Sequence, residues 1–311
     1  MKLKEWMPEW FEHYIKPAAK ERTILRYGDI INHRLIPNLG NYELDQLTPI
    51  VIQRYITELI KGGNLKTGKG LSSNTINIII TVLQGGLYQA HILGYLPEYT
   101  GGKIKRPKVR EKQVTCFSID EQEKIEKAIM SDKRVKMFGV ILCLYTGLRI
   151  GELLALEWSD IDFQKGEIYV SKSCHDSKKD GKYCRLIDVP KTEHSRRIVP
   201  LPKQLIPMLR EVKRKNNSQW VVGNGDKVIS VRSYQYSFSL LLDKLNIDHK
   251  GFHSLRHTFA TRAIECGIDV KTLSEILGHK NATVTLERYA HSMLSHKHEM
   301  MNRLGKMLQN H

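Results

Sequence analysis

The sequence predicts a mainly α-helical fold in two domains, with a small antiparallel β-sheet confined to the second. Three observations lead there. The first hundred residues carry four segments with apolar side chains at helical spacing, and a Pro-, Gly- and Lys/Arg-rich stretch without hydrophobic period follows at residues 97–114. Between residues 161 and 201 the pattern then changes from helical spacing to alternation, and it turns helical again beyond.

The helical domain is assigned to residues 1–98. Its four segments are "LKEWMPEWFEHYI", "AKERTILRYGDIINHRLI", "TPIVIQRYITELI" and "SSNTINIIITVLQGGLYQAHILGYL". Thr48 followed by Pro49 supplies an N-cap and a proline at the first helical position. Gly62-Gly63 ends that helix, and "NLKTGKG" reads as a flexible basic loop. Residues 99–114, within "PEYTGGKIKRPKVREKQV", read as a basic linker, either lying along a phosphate backbone or serving as a solvated hinge.

The second domain is assigned to residues 115–311. Ser118 and Glu121 have capping-box spacing at the head of "FSIDEQEKIEKAIM". Helices around "KMFGVILCLYTG" and "RIGELLAL" come next. "IDFQKGEIYVSKS", "YCRLIDVP" and "SRRIVPL" then read as three short strands of one antiparallel sheet, with Lys165-Gly166 as a turn. From Pro202 the helical pattern continues, interrupted near "VVGNGDKVIS".

The chain carries 49 Lys and Arg against 33 Asp and Glu, a formal charge of +16 with an isoelectric point near 9.5. A surface this basic attracts polyanions, nucleic acid first among them, although excess lysine also serves solubility. Both halves share the excess: residues 1–110 hold 16 basic against 9 acidic side chains, and the rest 33 against 24. The longest apolar runs, "INIIITVL" and "FGVILCLY", are too short to span a bilayer, and the N-terminus has no continuous apolar core. Cys116, Cys143, Cys174, Cys184 and Cys266 are odd in number and scattered, which suits reduced thiols in a cytoplasm. Cys174, His175, Cys184 and His194 have no compact zinc spacing.

Four islands in the second domain bear basic or hydroxyl groups beside turn residues. "YTGLRIGELLAL" puts Arg149 at a helix start, where free N–H groups already favour anions and a guanidinium adds a bidentate clamp. "VPKTEHSRRIVPL" sets Lys191 between two strands, on a stem long enough to reach a bound backbone. "GFHSLRHTFATR" brings His253, Arg256 and His257 to one helical face, a spot suited to an anion. "LSEILGHKNATVTLERYAH" adds His279 directly after Gly278, and then Tyr289. Each also has an ordinary reading as a surface residue or cap, and no pattern singles out Tyr289 among 13 tyrosines.

Taken in order, "TGLRIGEL", "PKTEHSRRIVPL", "HSLRHTFAT", "LGH" and "ERYAH" resemble the tyrosine recombinases, also called the phage integrase family. The match runs from about Phe117 to the end. The stretch "YGDIINHRLIPNLGNYELDQLTPIVIQRY" is similar to that family's core-binding domain. The resemblance implies a two-domain clamp on double-stranded DNA and a site-specific recombinase of the mobile-element integrase type. Arg149 and Arg256 then clamp the scissile phosphate, and Lys191 protonates the leaving 5′ oxygen. His253 and His279 assist proton transfer and hold the phosphate, and Tyr289 is the nucleophile that forms a 3′-phosphotyrosyl link. Guanidiniums and imidazoles neutralise the charge that builds up on the phosphate, so neither a metal ion nor ATP is needed. A phenol with an ordinary pKa near ~10 needs that positive surround, or His253 as base, to attack.

Glu152, three residues after Arg149, reads equally as an orienting partner or as an ordinary helix residue. His257, Thr258 and Ser254 are assigned structural hydrogen bonds, and Arg288 a DNA or surface role. His291, His296 and His298 read as solvated. The family implies a homo-tetramer on DNA, accessory DNA-bending or directionality factors, and a place in the bacterial cytoplasm or nucleoid. "SHKHEMMNRLGKMLQN" has the spacing of an amphipathic helix that docks on a neighbouring subunit or on its own domain. The chain begins directly at the core-binding domain, as in an arm-less member or a shortened chain.

A cellular dimer-resolution recombinase shares all of this chemistry. A noncatalytic DNA-binding factor would be expected to have lost an arginine or Tyr289. A metal-dependent nuclease or transposase would need paired carboxylates near the basic islands, and a type IB topoisomerase differs in motif spacing and length.

Overall fold

The computed structural model describes residues 1–99, 101–109, 114–131, 135–179, 182–188, 196–225, 227–279, 281–289, 301–302 and 304–309, with backbone alone at 178–179, 182–183, 224, 284 and 287–289. The chain divides into two compact units, Met1–Lys112 and Gln113–His311.

In the first unit, α1 (Leu3–Trp10) runs on through a π-helical turn at Phe11–Ile15. α2 (Glu21–Ile30) passes through a second π-helical turn into α3 (Ile36–Leu39). α4 (Pro49–Gly62) and α5 (Ser73–Ile92) complete the unit. The core joins Leu3, Trp6, Met7 and Trp10 of α1 to Ile76, Ile79, Ile80, Leu83 and Leu87 of α5. Glycine in mid-helix costs about 1 kcal/mol relative to alanine, yet α5 carries Gly85-Gly86. A Cβ at Gly86 would meet Met7 Sδ at 2.6 Å, and the bare backbone lets Trp6 Nε1 donate to Gly86 O at 2.8 Å.

Of the basic stretch 99–114, Lys105–Pro107 is fastened to this unit, whereas Val114 packs on the second. Lys105 N donates to Gln53 Oε1 at 3.2 Å, Asn77 Nδ2 to Pro107 O at 3.2 Å, and Arg106 Nη1 to Thr81 Oγ1 at 3.1 Å.

In the second unit, Ser118 caps α6 (Ile119–Met130) and Glu121 returns the bond, as the spacing predicts. α7 (Phe138–Thr146) is apolar on every side and therefore central: Phe138 to Leu144 are all buried. α8 (Ile150–Leu154) follows a glycine turn. β1 (Ile161–Asp162), β2 (Glu167–Val170) and β5 (Arg197–Pro200) form a three-stranded antiparallel sheet in the order β1-β2-β5, with Ile168 opposite Val199 and Val170 opposite Arg197. α9 (Leu205–Lys215), α10 (Val231–Lys244), α11 (His253–Glu265), α12 (Val270–Leu277) and α13 (Ala282–Tyr289) follow, with further helical backbone at 301–302 and 304–309. No described helix is long and apolar enough to cross a membrane.

The sheet corrects one expectation. "YCRLIDVP" does not join the strands around it; as β4 (Lys182–Asp188) it pairs with β3 (Ser173–Lys179) in a separate two-stranded hairpin. β3 reads "SCHDSKK", polar at nearly every position, so it gives no alternating signal. Asp176 of β3 instead holds the start of α10, accepting from Val231 N at 3.1 Å and Arg232 N at 3.0 Å. A second small hairpin, β6 (Gly223–Asn224) with β7 (Lys227–Val228), fills the interruption before α10.

Candidate active site

α7 ends at Gly147, which takes a left-handed φ of 65° and turns the chain so that Leu148 is buried and Arg149 becomes the N-cap of α8. Arg149 N donates to Glu152 Oε2 at 2.9 Å and its Nη1 to Glu152 Oε1 at 2.8 Å, while Nη2 reaches Gly278 O at 3.1 Å. Of its two readings, Glu152 is thus the partner that orients Arg149.

α11 carries the basic face of "GFHSLRHTFATR". The His253 and His257 rings meet edge to face, with centroids 4.5 Å apart. Arg256 turns inward and is only 2% exposed; Nη1 donates to Gly147 O at 2.8 Å and Nη2 to Leu277 O at 2.7 Å. The face is therefore divided, with the imidazoles on one side and the guanidinium reaching toward the ends of α7 and α12. Thr258 Oγ1 accepts from Phe117 N at 2.9 Å and donates to Ser254 O at 2.8 Å, and Arg262 Nη2 donates to Phe117 O at 3.2 Å. These residues fasten the start of the unit to α11.

α12 is capped by Asp269, which accepts from Thr272 N at 2.9 Å, and it ends at Gly278 with a left-handed φ of 64°. His279 follows, and its Nδ1 lies 2.7 Å from the Oγ1 of buried Thr285 on α13. Tyr289 is the last residue of α13, four positions beyond Thr285. Lys191 lies outside the described residues, as do His291, His296 and His298. Arg149 and Arg256, 107 positions apart in sequence, thus hold adjacent carbonyls in the turn that delivers His279.

Arg197, not singled out within any of the basic islands, belongs to the same cluster. Its side chain is 7% exposed; Nη1 and Nη2 donate to the two oxygens of Glu152 at 3.0 and 2.8 Å, and Nε donates to Ile276 O at 2.6 Å. A signal was present: on β5, Arg197 alternates with buried Val199 and so faces inward, and a buried guanidinium needs an acid. Burial alone would push the Glu152 carboxyl up, but the hydrogen bonds and charge of Arg197, then the charge of Arg149, outweigh it and bring it down to about 2.

Cys174, His175 and Cys184 do not assemble as ligands. Cys174 stands opposite Ile187 and Cys184 opposite Ser177, so the two cysteines occupy opposite faces of the β3-β4 hairpin. His194 lies outside the described residues, and no cluster of three potential ligands occurs among the described ones.

A mainly helical unit with a small sheet thus brings two remote arginines and a histidine together at one helix end. The phage integrase family model matches residues 116–296, and the family's N-terminal SAM-like domain matches residues 2–60; the chain belongs to the phage integrase family. It is a tyrosine recombinase, an enzyme that cleaves and rejoins DNA in site-specific recombination. A tyrosine recombinase XerC-like protein of Caldanaerobacter subterraneus is 29% identical, over 98% of this chain and 83% of its own. The fold is that of the Tn1549 transposon integrase in complex with a circular intermediate DNA, at TM-score 0.79 and 23% identity over 98% of this chain and 99% of that one. A lambda integrase tetramer bound to a Holliday junction aligns at TM-score 0.68 and 21% identity, covering 91% of this chain and 79% of that one.

Proposed function

We propose that the chain is the integrase of a mobile element, and that Arg149, Lys191, His253, Arg256, His279 and Tyr289 carry its chemistry. The observation that supports the assignment most is the meeting of Arg149 and Arg256 on the carbonyls of Gly278 and Leu277, one and two residues before His279. Each guanidinium has five N–H donors in a rigid fork, so main-chain anchoring sets its direction before any phosphate arrives. Fixed donors aimed at developing charge stabilise a transition state without reorganisation.

In this reading the Tyr289 hydroxyl attacks the scissile phosphorus and gives its proton to His253. The bond to the 5′ oxygen breaks, and Lys191 protonates that oxygen. A 3′-phosphotyrosyl link and a 5′ hydroxyl result, and rejoining runs the same steps backwards, with Lys191 taking its proton back. Because the phosphodiester energy is kept in the link, no nucleotide cofactor enters, and the cationic side chains take the place of a metal ion.

The two units acting together as a clamp on a duplex, the tetramer, accessory DNA-bending or directionality proteins and a nucleoid location belong to the same proposal. The lambda integrase assembly supports the tetramer. So do the exposed apolar side chains of Leu304 and Leu308, one helical turn apart in the helical backbone at 304–309, a fit for a neighbouring subunit.

The test starts in cells. DNA that stays covalently attached to the protein after denaturation is sequenced, and its cleavage site is rebuilt as a nicked duplex that traps the cut strand. The wild-type chain is expected to form a covalent adduct in EDTA, and Tyr289→Phe to form none while still binding the duplex. Binding by the wild type without any adduct would favour a noncatalytic factor, and an adduct that EDTA abolishes would favour a metal enzyme.

A further inference from the structure

We propose that Arg197 is a positioning residue of this site: it ties Glu152 to the end of α12 and so sets both Arg149 and His279. The inference rests on the catalytic assignment above and extends it to a residue that makes none of the chemical contacts.

The last carbonyls of a helix lack partners within it. At the end of α12 the carbonyls of 276, 277 and 278 each accept from a different arginine: Arg197 at 2.6 Å, Arg256 at 2.7 Å and Arg149 at 3.1 Å. The three come from β5, α11 and the cap of α8, and cations suit the negative end of a helix dipole. Arg197 differs from the others in giving both of its remaining nitrogens to one carboxylate. Both go to Glu152, whose oxygens also accept from the Arg149 side chain and main chain.

A closed ring results, running from Glu152 through Arg197 to the turn, and from Gly278 through Arg149 back to Glu152. Gly278 shows how close the ring is: a Cβ there would lie 3.0 Å from both Cδ and Nη1 of Arg197, and the left-handed φ already selects glycine. With its side chain 7% exposed, Arg197 acts through Arg149 and His279 and not by reaching the DNA itself.

The test uses the full chain on the nicked duplex described above, with Arg197→Met and Arg197→Lys. Duplex affinity is expected to stay at the wild-type value. The single-turnover rate of adduct formation is expected to fall about 100-fold in the Met variant, as displaced catalytic groups do, and about 10-fold in the Lys variant, which restores charge without the fork. Combining Arg197→Met with Glu152→Gln is expected to lower the rate no further than the worse single change.

A pH profile separates positioning from a general structural role. The groups facing Glu152 are Arg149 on its own helix cap, Arg197 on β5 and Cys143 on α7, with Arg256 beyond Cys143. Without Arg197, burial raises the Glu152 carboxyl, so the acid-side loss of rate moves to higher pH than in the wild type.

Wild-type rates and an unshifted profile in Arg197→Met, with Tyr289→Phe still inactive, would overturn the positioning role and leave the catalytic assignment standing. Unfolding of both Arg197 variants in thermal melts, or parallel loss of binding and cleavage, would make Arg197 a residue of stability and overturn it too. If the wild type forms no adduct, the catalytic assignment fails and the positioning role goes with it.

Discussion

Glu152→Ala is expected to destabilise the second unit by about 3–5 kcal/mol, the loss seen when one member of a buried ion pair is removed. The carboxylate is 8% exposed and accepts four hydrogen bonds, two from Arg197 and two from Arg149. Alanine leaves the Arg197 guanidinium without its acid. The four tryptophans make the effect readable: Trp6 and Trp10 are buried in the first unit and Trp158 and Trp220 in the second. Fluorescence during urea unfolding should show the second unit's midpoint moving while the first unit's stays. A shift worth less than about 1 kcal/mol, the range of exposed pairs, would contradict the buried network.

The same residue fixes a pH dependence. The Glu152 carboxyl is held at about 2 in the folded chain against an ordinary 4.5. A folded value below the unfolded one stabilises above the unfolded pKa, and that stability drains away as pH falls from about 4.5 toward about 2. Wild-type protein should lose this increment on acidification, and Glu152→Ala, having none to lose, should show a shallower decline across that window.

The second large effect is catalytic. Arg256→Lys is expected to slow adduct formation by about 100- to 1000-fold, the loss that follows removal of one preorganised donor to developing negative charge. The Arg256 fork spans two carbonyls from different helices, Gly147 O at 2.8 Å and Leu277 O at 2.7 Å. An ammonium keeps the charge but cannot bridge both and present a planar pair of donors to an oxyanion. Single-turnover cleavage measured beside duplex affinity checks this. A loss below about tenfold at unchanged affinity would mean that Arg256 is an anchor of the fold and no part of the phosphate site.

Hydrophobic period served the helices well because their faces turn inward in regular order; α4, α6 and α10 follow it. The π-helical turns at 11–15 and 31–35 were not legible, because apolar spacing marks a short segment as helical without telling an α turn from a π turn. Gly85-Gly86 reads as a weak point of α5 until α1 is laid across it. β3 escaped because its pairing is carried by the main chain and its side chains are polar. At the site, Arg149 and Arg256 were legible as anion-binding candidates from local features alone. Their meeting at one turn was not, because it depends on α7, α11 and α12 converging, and only the family resemblance joined them beforehand. Arg197 was hidden for the opposite reason: its inward phase on β5 is plain, but a charged side chain at a strand start passes for surface until its acid is found.

Tyr289 is the residue proposed to take up the DNA strand. Wild-type protein trapped on the nicked duplex, digested with nuclease and protease and analysed by mass spectrometry, should yield a single modified peptide, with Tyr289 bearing a nucleotide through its 3′ phosphate. Attachment to any other residue, or a cut strand with no residue attached, would rule Tyr289 out as the nucleophile.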